Sequence, residues 1–258
     1  MEGGGFGGWF MSRFMGKGAF AERSLPEQYI SDAIARTDVA VVVIGRQAGE
    51  GRDRRVEDEF LLTADELDLI NNTCVLAHEA GKRVVVVLNV TGVVETASWK
   101  HLPDAILCAW CPGQEGGNSM ADVLTGRVNP SGRLSMSWPV DVLELPASRH
   151  FPTTSVKGDN RQQVRYAEGD SVGYRYYNAA HVEPSYRFGY GLSYTRFEES
   201  EPEHLPDGGW IVNVRNVGAK EGAHVVMLFD EQDPMRPLIG FTKTAVLAPG
   251  AAQRVVIY

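Results

Sequence analysis

The sequence predicts an α/β fold, a mostly parallel open sheet flanked by helices (an α/β sandwich), followed by an incomplete all-β sandwich. Three observations carry this. Residues 39–44 (VAVVVI) and 83–88 (RVVVVL) are continuous, largely β-branched apolar runs of strand length, the pattern of strands buried on both faces. Strand and helix signals alternate along the first half of the chain, the order that parallel sheets need because each crossover takes a helix. Beyond residue 198 short apolar runs separated by turn residues take over, with Pro249-Gly250 among the turns.

Taken in order, residues 1–24 mix Gly with Phe, Trp and Met without period and read as an irregular arm. Residues 25–165 hold the α/β domain. A short helix within 24–37 leads into the first core strand, 39–44. Thr63-Ala64-Asp65-Glu66 has capping-box spacing, and Leu67, Ile70, Cys74 and Ala77 then recur on one helical face until Gly81 supplies a stop. Strands follow at 83–88 and 105–110, a helix at 115–124 closed by Gly126, and a fourth strand at 134–138. Residues 166–198, rich in Tyr and Phe, form a bridge. Residues 199–258 carry β-strand signals at 210–214, 223–229, 241–246 and 254–258, and the last of these falls at the end of the chain, so the domain reads as truncated.

Composition narrows the function. A chain of 258 residues, 43% hydrophobic and 22% charged, can bury a sizeable core. Its net charge of −8 offers no footprint for nucleic acid, and the cluster Arg52, Arg54, Arg55 runs straight into Glu57, Asp58 and Glu59. No apolar window is long enough for a membrane span, and nothing at the N-terminus resembles an export signal. Three cysteines, Cys74, Cys108 and Cys111, are too few for a disulfide framework, which favours a reducing, cytoplasmic setting. Cys108 and Cys111 form a C-x-x-C without a second pair or flanking His, so they read as buried strand residues and not as a metal site. No metal or organic cofactor is expected.

The segment best placed for chemistry is Gly45-Arg46-Gln47-Ala48-Gly49-Glu50-Gly51-Arg52-Asp53-Arg54. It follows the first core strand directly, and in open α/β sheets functional groups gather beyond the carboxyl ends of strands. Gly49 and Gly51 allow Glu50 to be carried on a projecting loop. Read from the residues alone, a carboxylate in a glycine turn such as Glu50 is usually a solvated surface charge, and Arg52, Asp53 and Arg54 surface ion pairs of little worth. Pro112-Gly113-Gln114-Glu115-Gly116-Gly117 lacks both G-x-G-x-x-G and G-K-[ST], so its glycines are assigned to a tight turn and close helix packing. The histidines show no ligand spacing.

The ordered series Asp38-Val-Ala-Val-Val-Val-Ile-Gly-Arg46, Ala48-Gly-Glu-Gly51 with Asp53-Arg54, Val85-Val-Val-Leu-Asn89, Gly113-Gln-Glu-Gly-Gly117, Asn129-Pro-Ser-Gly-Arg-Leu134, Val172-Gly-Tyr-Arg-Tyr-Tyr177 and Phe188-Gly-Tyr-Gly-Leu-Ser-Tyr-Thr195 resembles glycoside hydrolase family 3, especially its β-glucosidases. The resemblance covers roughly residues 25–258. It implies a retaining, exo-acting glycosidase acting on terminal non-reducing β-D-glucosyl residues, with residues 199–258 a fibronectin-III-like domain. It also implies that Glu50 is the general acid/base, supported by Arg46, Gly49, Gly51, Asp53 and Arg54, while the nucleophile belongs to a (β/α) barrel that this sequence lacks. The expected partners are a β-linked glucoside or oligosaccharide and that barrel, in cis or in trans, so the chain alone should not turn over. The alternatives are part of a β-xylosidase, or a non-catalytic carbohydrate-associated scaffold.

Overall fold

Pro26 fixes the extended entry to α1 (Glu27–Ile34), a two-turn helix that buries Ile30 and Ile34. The chain then enters β1 (Val39–Arg46), and after α2 (Ala64–Glu79) it returns as β2 (Arg83–Val90), parallel to β1 in register Val39 with Arg83 through Arg46 with Val90. β3 (Ala105–Cys108) adds a further parallel strand on the far side of β2, giving the order β1-β2-β3. The computed structural model describes residues 22–46, 53–151, 154–155, 162–163 and 165–258. The chain divides into two compact units, residues 1–117 and 118–258.

The first unit is built as its periodicity demands, with one correction. Val42, Ile44, Val84, Val86, Leu88 and Val90 form a buried face with Ile70, Cys74 and Ala77 of α2. On β1, however, Val39, Val41 and Val43 are 45%, 50% and 55% exposed. Among the described residues β1 is the outer strand of the sheet, and α2 packs on the side of Val42 and Ile44, so the run of valines is not buried on both faces as the sequence suggested. α2 starts as expected: the Thr63 hydroxyl accepts from Glu66 N at 3.2 Å and the Glu66 carboxylate accepts from Thr63 N at 2.8 Å. Gly81, at φ +68°, ends it.

The division between units falls within α3 (Gly116–Leu124), whereas sequence patterning puts a boundary near residue 165. Residues 134–138 do not become a fourth parallel strand. Leu134 N donates to Tyr190 O at 2.9 Å, Gly189 N to Leu134 O at 2.7 Å, and Trp138 bridges antiparallel to Tyr186. A run that the apolar pattern assigns to the sheet is captured instead by the aromatic segment, where buried Trp138 meets Tyr186 edge to face. A two-residue ladder, β4 (Thr154–Ser155) with β5 (Gln162–Gln163), follows, and then α4 (Tyr174–Ala180), whose Tyr174 ring stacks on Phe188 at 4.6 Å.

The remaining strands are antiparallel. β6 (Phe197–Glu199), β7 (Glu203–His204), β8 (Trp210–Asn216) and β11 (Ala252–Ile257) form one sheet, in which β8 pairs with the other three. β9 (Val225–Phe229) and β10 (Leu238–Lys243) form the second. Val212, Val214, Val255 and Ile257 from the first sheet share a core with Val226 and Leu228 from the second, so the segment is a two-sheet sandwich. Asn216, fully buried at the end of β8, accepts from Thr195 Oγ1 at 2.7 Å and Gly218 N at 3.1 Å, and donates to Lys220 O and Leu247 O at 2.7 and 2.8 Å.

Candidate active site

The carboxyl ends of parallel strands carry functional groups because the loops there are free of the packing that fixes the strands. β1 ends on Arg46, whose side chain turns into the protein and is only 6% exposed. A guanidinium so enclosed needs a matching anion, since an unpaired buried charge costs several kcal/mol. Glu66, 7% exposed, supplies it: Arg46 Nη1 pairs with Oε1, and Nη2 donates to Oε2 at 2.5 Å, a two-pronged geometry. Arg46 Nη1 also donates to its neighbour Gly45 O at 2.8 Å.

The Glu66 carboxylate has a second set of partners. Its Oε2 accepts from Thr63 N at 2.8 Å and from Thr63 Oγ1 at 3.2 Å. One carboxylate thus closes the first turn of α2 and holds the end of β1. Capping-box spacing announces only the first of these roles. The signal for the second was present: an arginine directly after an apolar strand needs a carboxylate if it folds inward, and Glu66 opens the helix that packs beside that strand.

On the other side of residues 47–52 the chain re-emerges at Asp53 and Arg54. Asp53 is exposed, while Arg54 is half-buried and donates through Nη2 to Glu59 O. Burial, and then the positive charge of Arg46, hold the Arg54 pKa below the ordinary arginine value; Glu59 acts the other way. The charge of Arg46 is thus felt at Arg54. Gly92 makes room for Arg54, because a Cβ there would stand 2.6 Å from its Nη1. Between Arg54 and α2 the chain turns through Asp58, at φ +62°, and Phe60 O accepts from Glu95 N at 2.7 Å. Of the residues singled out by sequence, Arg46 is anchored on Glu66 and Arg54 on Glu59 O; Gly49, Glu50 and Gly51 lie outside the described residues.

Other residues of the first unit are structural. Trp99 is 1% exposed and donates through Nε1 to Glu95 O at 2.8 Å, so it is a core residue. Trp110 lies just beyond β3 with φ +52°, partly exposed. Gly113, at φ +71°, makes the turn before α3, and a Cβ on Gly116 would meet Pro112 Cγ at 2.5 Å, the close packing expected of this glycine-rich turn. Cys108 belongs to β3 but Cys111 does not: it is exposed, which corrects its reading as a buried strand residue, and all three cysteines are free thiols. Burial pushes the Cys74 and Cys108 thiols up to about 11, so they are poor nucleophiles. Among the described residues no cluster of His, Cys, Asp and Glu could hold a metal ion, and no helix is long and apolar enough to cross a membrane.

The sequence model of the glycosyl hydrolase family 3 C-terminal domain matches residues 23–194. The chain belongs to glycosyl hydrolase family 3. Among curated family 3 relatives, β-glucosidase B of Emericella nidulans is 36% identical over 235 residues, an alignment covering 85% of this chain and 27% of that protein. The β-glucosidase of Ruminococcus albus is 33% identical over 247 residues, covering 92% of this chain and 25% of that one. The structure of β-glucosidase 3B from Thermotoga neapolitana in complex with α-D-glucose superposes with a TM-score of 0.82 at 42% identity, covering 90% of this chain and 33% of that one. This family 3 chain spans about a quarter to a third of the length of these relatives. The α/β sandwich read from its sequence is the fold of the matched domain.

Proposed function

We propose that this chain is the acid/base-carrying part of a retaining, exo-acting β-glucosidase, with Glu50 as the general acid/base. The observation that carries the reading is the base of the segment containing Glu50. It leaves the carboxyl end of a parallel strand, and its two flanking arginines, Arg46 and Arg54, are each anchored within the first unit. A carboxylate carried between fixed stems can serve a sugar held elsewhere. The relatives named β-glucosidase supply the substrate class, a β-linked glucoside.

In this reading Glu50, protonated, gives its proton to the departing glycosidic oxygen as a carboxylate nucleophile attacks the anomeric carbon. Glu50, now ionised, then takes a proton from the water that frees the sugar. Arg54, held by Glu59 O, secures the chain that follows it. The nucleophile comes from a (β/α) barrel, which is consistent with the share of the relatives that this chain spans. We assign the two-sheet sandwich of residues 199–258 to the fibronectin-III-like domain of such enzymes, on the strength of its shared core.

The test is hydrolysis of an aryl β-glucoside by this chain, alone and mixed with a matching barrel half, with Glu50 or Gln at position 50. Activity is expected only in the mixture. Glu50→Gln should lower the rate about 100-fold on a poor leaving group, with azide restoring turnover of an activated substrate. Hydrolysis by the isolated chain would place the nucleophile here, and a mixture indifferent to Glu50→Gln would move the acid/base elsewhere.

A further inference from the structure

Within the second unit, α4, the segment that follows it and the turn between β9 and β10 enclose a cavity of about 120 Å³. One wall is aromatic: Tyr174 stacks on Phe188 at 4.6 Å, and Phe229 stands edge-on to both, at 6.0 and 6.2 Å. Ser137, Asn178, Arg187 and Arg236 supply polar groups to the lining. We infer that this cavity is a binding site for a small aromatic carboxylate, its single ring on the aromatic wall and its charge on the two guanidinium groups. The site is independent of the role of Glu50.

The lining selects by hydrogen-bond type. Arg187 and Arg236 can only donate. The Ser137 hydroxyl oxygen accepts from Phe188 N at 3.3 Å and the Tyr174 hydroxyl oxygen from Leu238 N at 2.8 Å, so each keeps its O–H to donate. Among the described residues that line the cavity there is no carboxylate. A lining this rich in donors suits an anion and suits a sugar poorly, because sugar hydroxyls bring hydrogens that need acceptors. Size narrows the choice further: an engineered apolar cavity of about 150 Å³ takes up benzene, so about 120 Å³ sets the ligand at one ring.

One of the two cations is held in advance. Arg236 Cζ lies 5.7 Å from the centroid of the Phe229 ring, at the aromatic wall. Its backbone is in the left-handed region at φ +47°, a conformation that persists in a non-glycine residue only where the surroundings hold it. Here Arg236 N donates to Asp233 O and Met235 N to Asp233 Oδ1, both at 2.8 Å. Asn178 Nδ2 donates to Met235 O at 3.1 Å and Leu238 N to the Tyr174 hydroxyl, which tie the turn to α4 on both sides of Arg236. Arg187 pairs with Glu183 and Arg236 with Glu231, but both carboxylates are 66% exposed. Exposed pairs of this kind are worth little, so a ligand carboxylate displaces them at small cost.

The probe is 4-fluorobenzoate, followed by its fluorine signal as this chain is titrated in. A Kd of about 1 mM is expected, in the range open to a single-ring ligand. The alcohol 4-fluorobenzyl alcohol keeps the ring without the charge, and fluoroacetate keeps the charge without the ring; each should bind about 10-fold more weakly or worse. Glucose should not displace the probe. Arg187→Gln and Arg236→Gln should each weaken binding about 10-fold, whereas Glu231→Gln, which removes a competitor for Arg236, should tighten it about twofold. Amide shifts on binding should centre on Phe188, Phe229 and Arg236. The site is overturned if 4-fluorobenzoate fails to bind at about 20 mM, far above the expected Kd, or if either partial probe binds as tightly as the whole one. Arginine variants of unchanged affinity, displacement by glucose, or shifts confined to the first unit would overturn it equally. The comparison of probes uses the parent chain alone, so it decides even where a substituted chain fails to fold.

Discussion

Each unit buries a polar side chain at the end of a strand, and the two have solved the problem differently. At the end of β1 in the first, Arg46 meets Glu66, two full charges enclosed together. At the end of β8 in the second, Asn216 sits fully buried with four neutral partners. A neutral amide with every hydrogen bond made is an inexpensive way to fix a turn against a strand. A charged pair carries a desolvation penalty that its own attraction scarcely recovers, so it tends to persist where geometry matters more than net stability. The neutral latch is the architecture of a scaffold, and the charged one stands next to the segment assigned to chemistry.

The comparison breaks most sharply at the ion pair. Arg46→Met or Glu66→Leu alone should each destabilise the first unit by about 3–5 kcal/mol, by leaving the other charge buried and unpaired, whereas the double substitution should recover most of that loss. Urea denaturation of the four proteins checks this, and a double variant as unstable as the singles would mean the pair contributes net stability after all. Asn216→Ala should cost less, about 2 kcal/mol, because the orphaned groups are neutral: the carbonyls of Lys220 and Leu247, the Gly218 N–H and the Thr195 hydroxyl. Loss of dispersion for the β8 and β11 amides in heteronuclear spectra would report it, while the first unit should be untouched.

Smaller effects sharpen the contrast. Thr63→Ala, removing one half of the capping box, should lower stability by about 1 kcal/mol in thermal melts. The smallest effect is one of pH. The Val84 N–H, at 2.8 Å, and then His78 hold the Asp104 carboxyl below the usual aspartate range. A depressed folded value means that its stabilisation is complete above the ordinary aspartate pKa of about 3.9 and is lost as pH falls through the lower folded value. Asp104→Asn should therefore flatten the acid end of the stability curve, measured by denaturation between pH 6 and the acid limit. An unchanged acid limb would show that this exposed carboxylate contributes nothing.

Much of the first unit was legible because its signals are local. The valine runs, the capping box at Thr63 and Glu66, and the stop at Gly81 depend on residues within a turn or two of each other, and each formed in place. Residues 134–138 were misassigned because an apolar strand-length run does not say which edge it will meet; here the edge is Tyr186–Tyr190, about fifty residues away, and the pairing is antiparallel. Likewise the valines of β1 announced two covered faces, and exposure of Val39, Val41 and Val43 depends on which elements pack beside them.

The same division holds for the candidate site. The order strand, glycine-flanked Glu50 and helix is written in the sequence, as are the motifs that mark the family, because short-range spacing and residue type suffice to record them. That Arg46 turns inward, that its partner is Glu66, and that Arg54 is held by Glu59 O were decided only by the tertiary structure. The physical reason is that charge pairing in a protein interior is set by which groups lose water together, and a separation of twenty positions along the chain leaves that open until β1 and α2 pack.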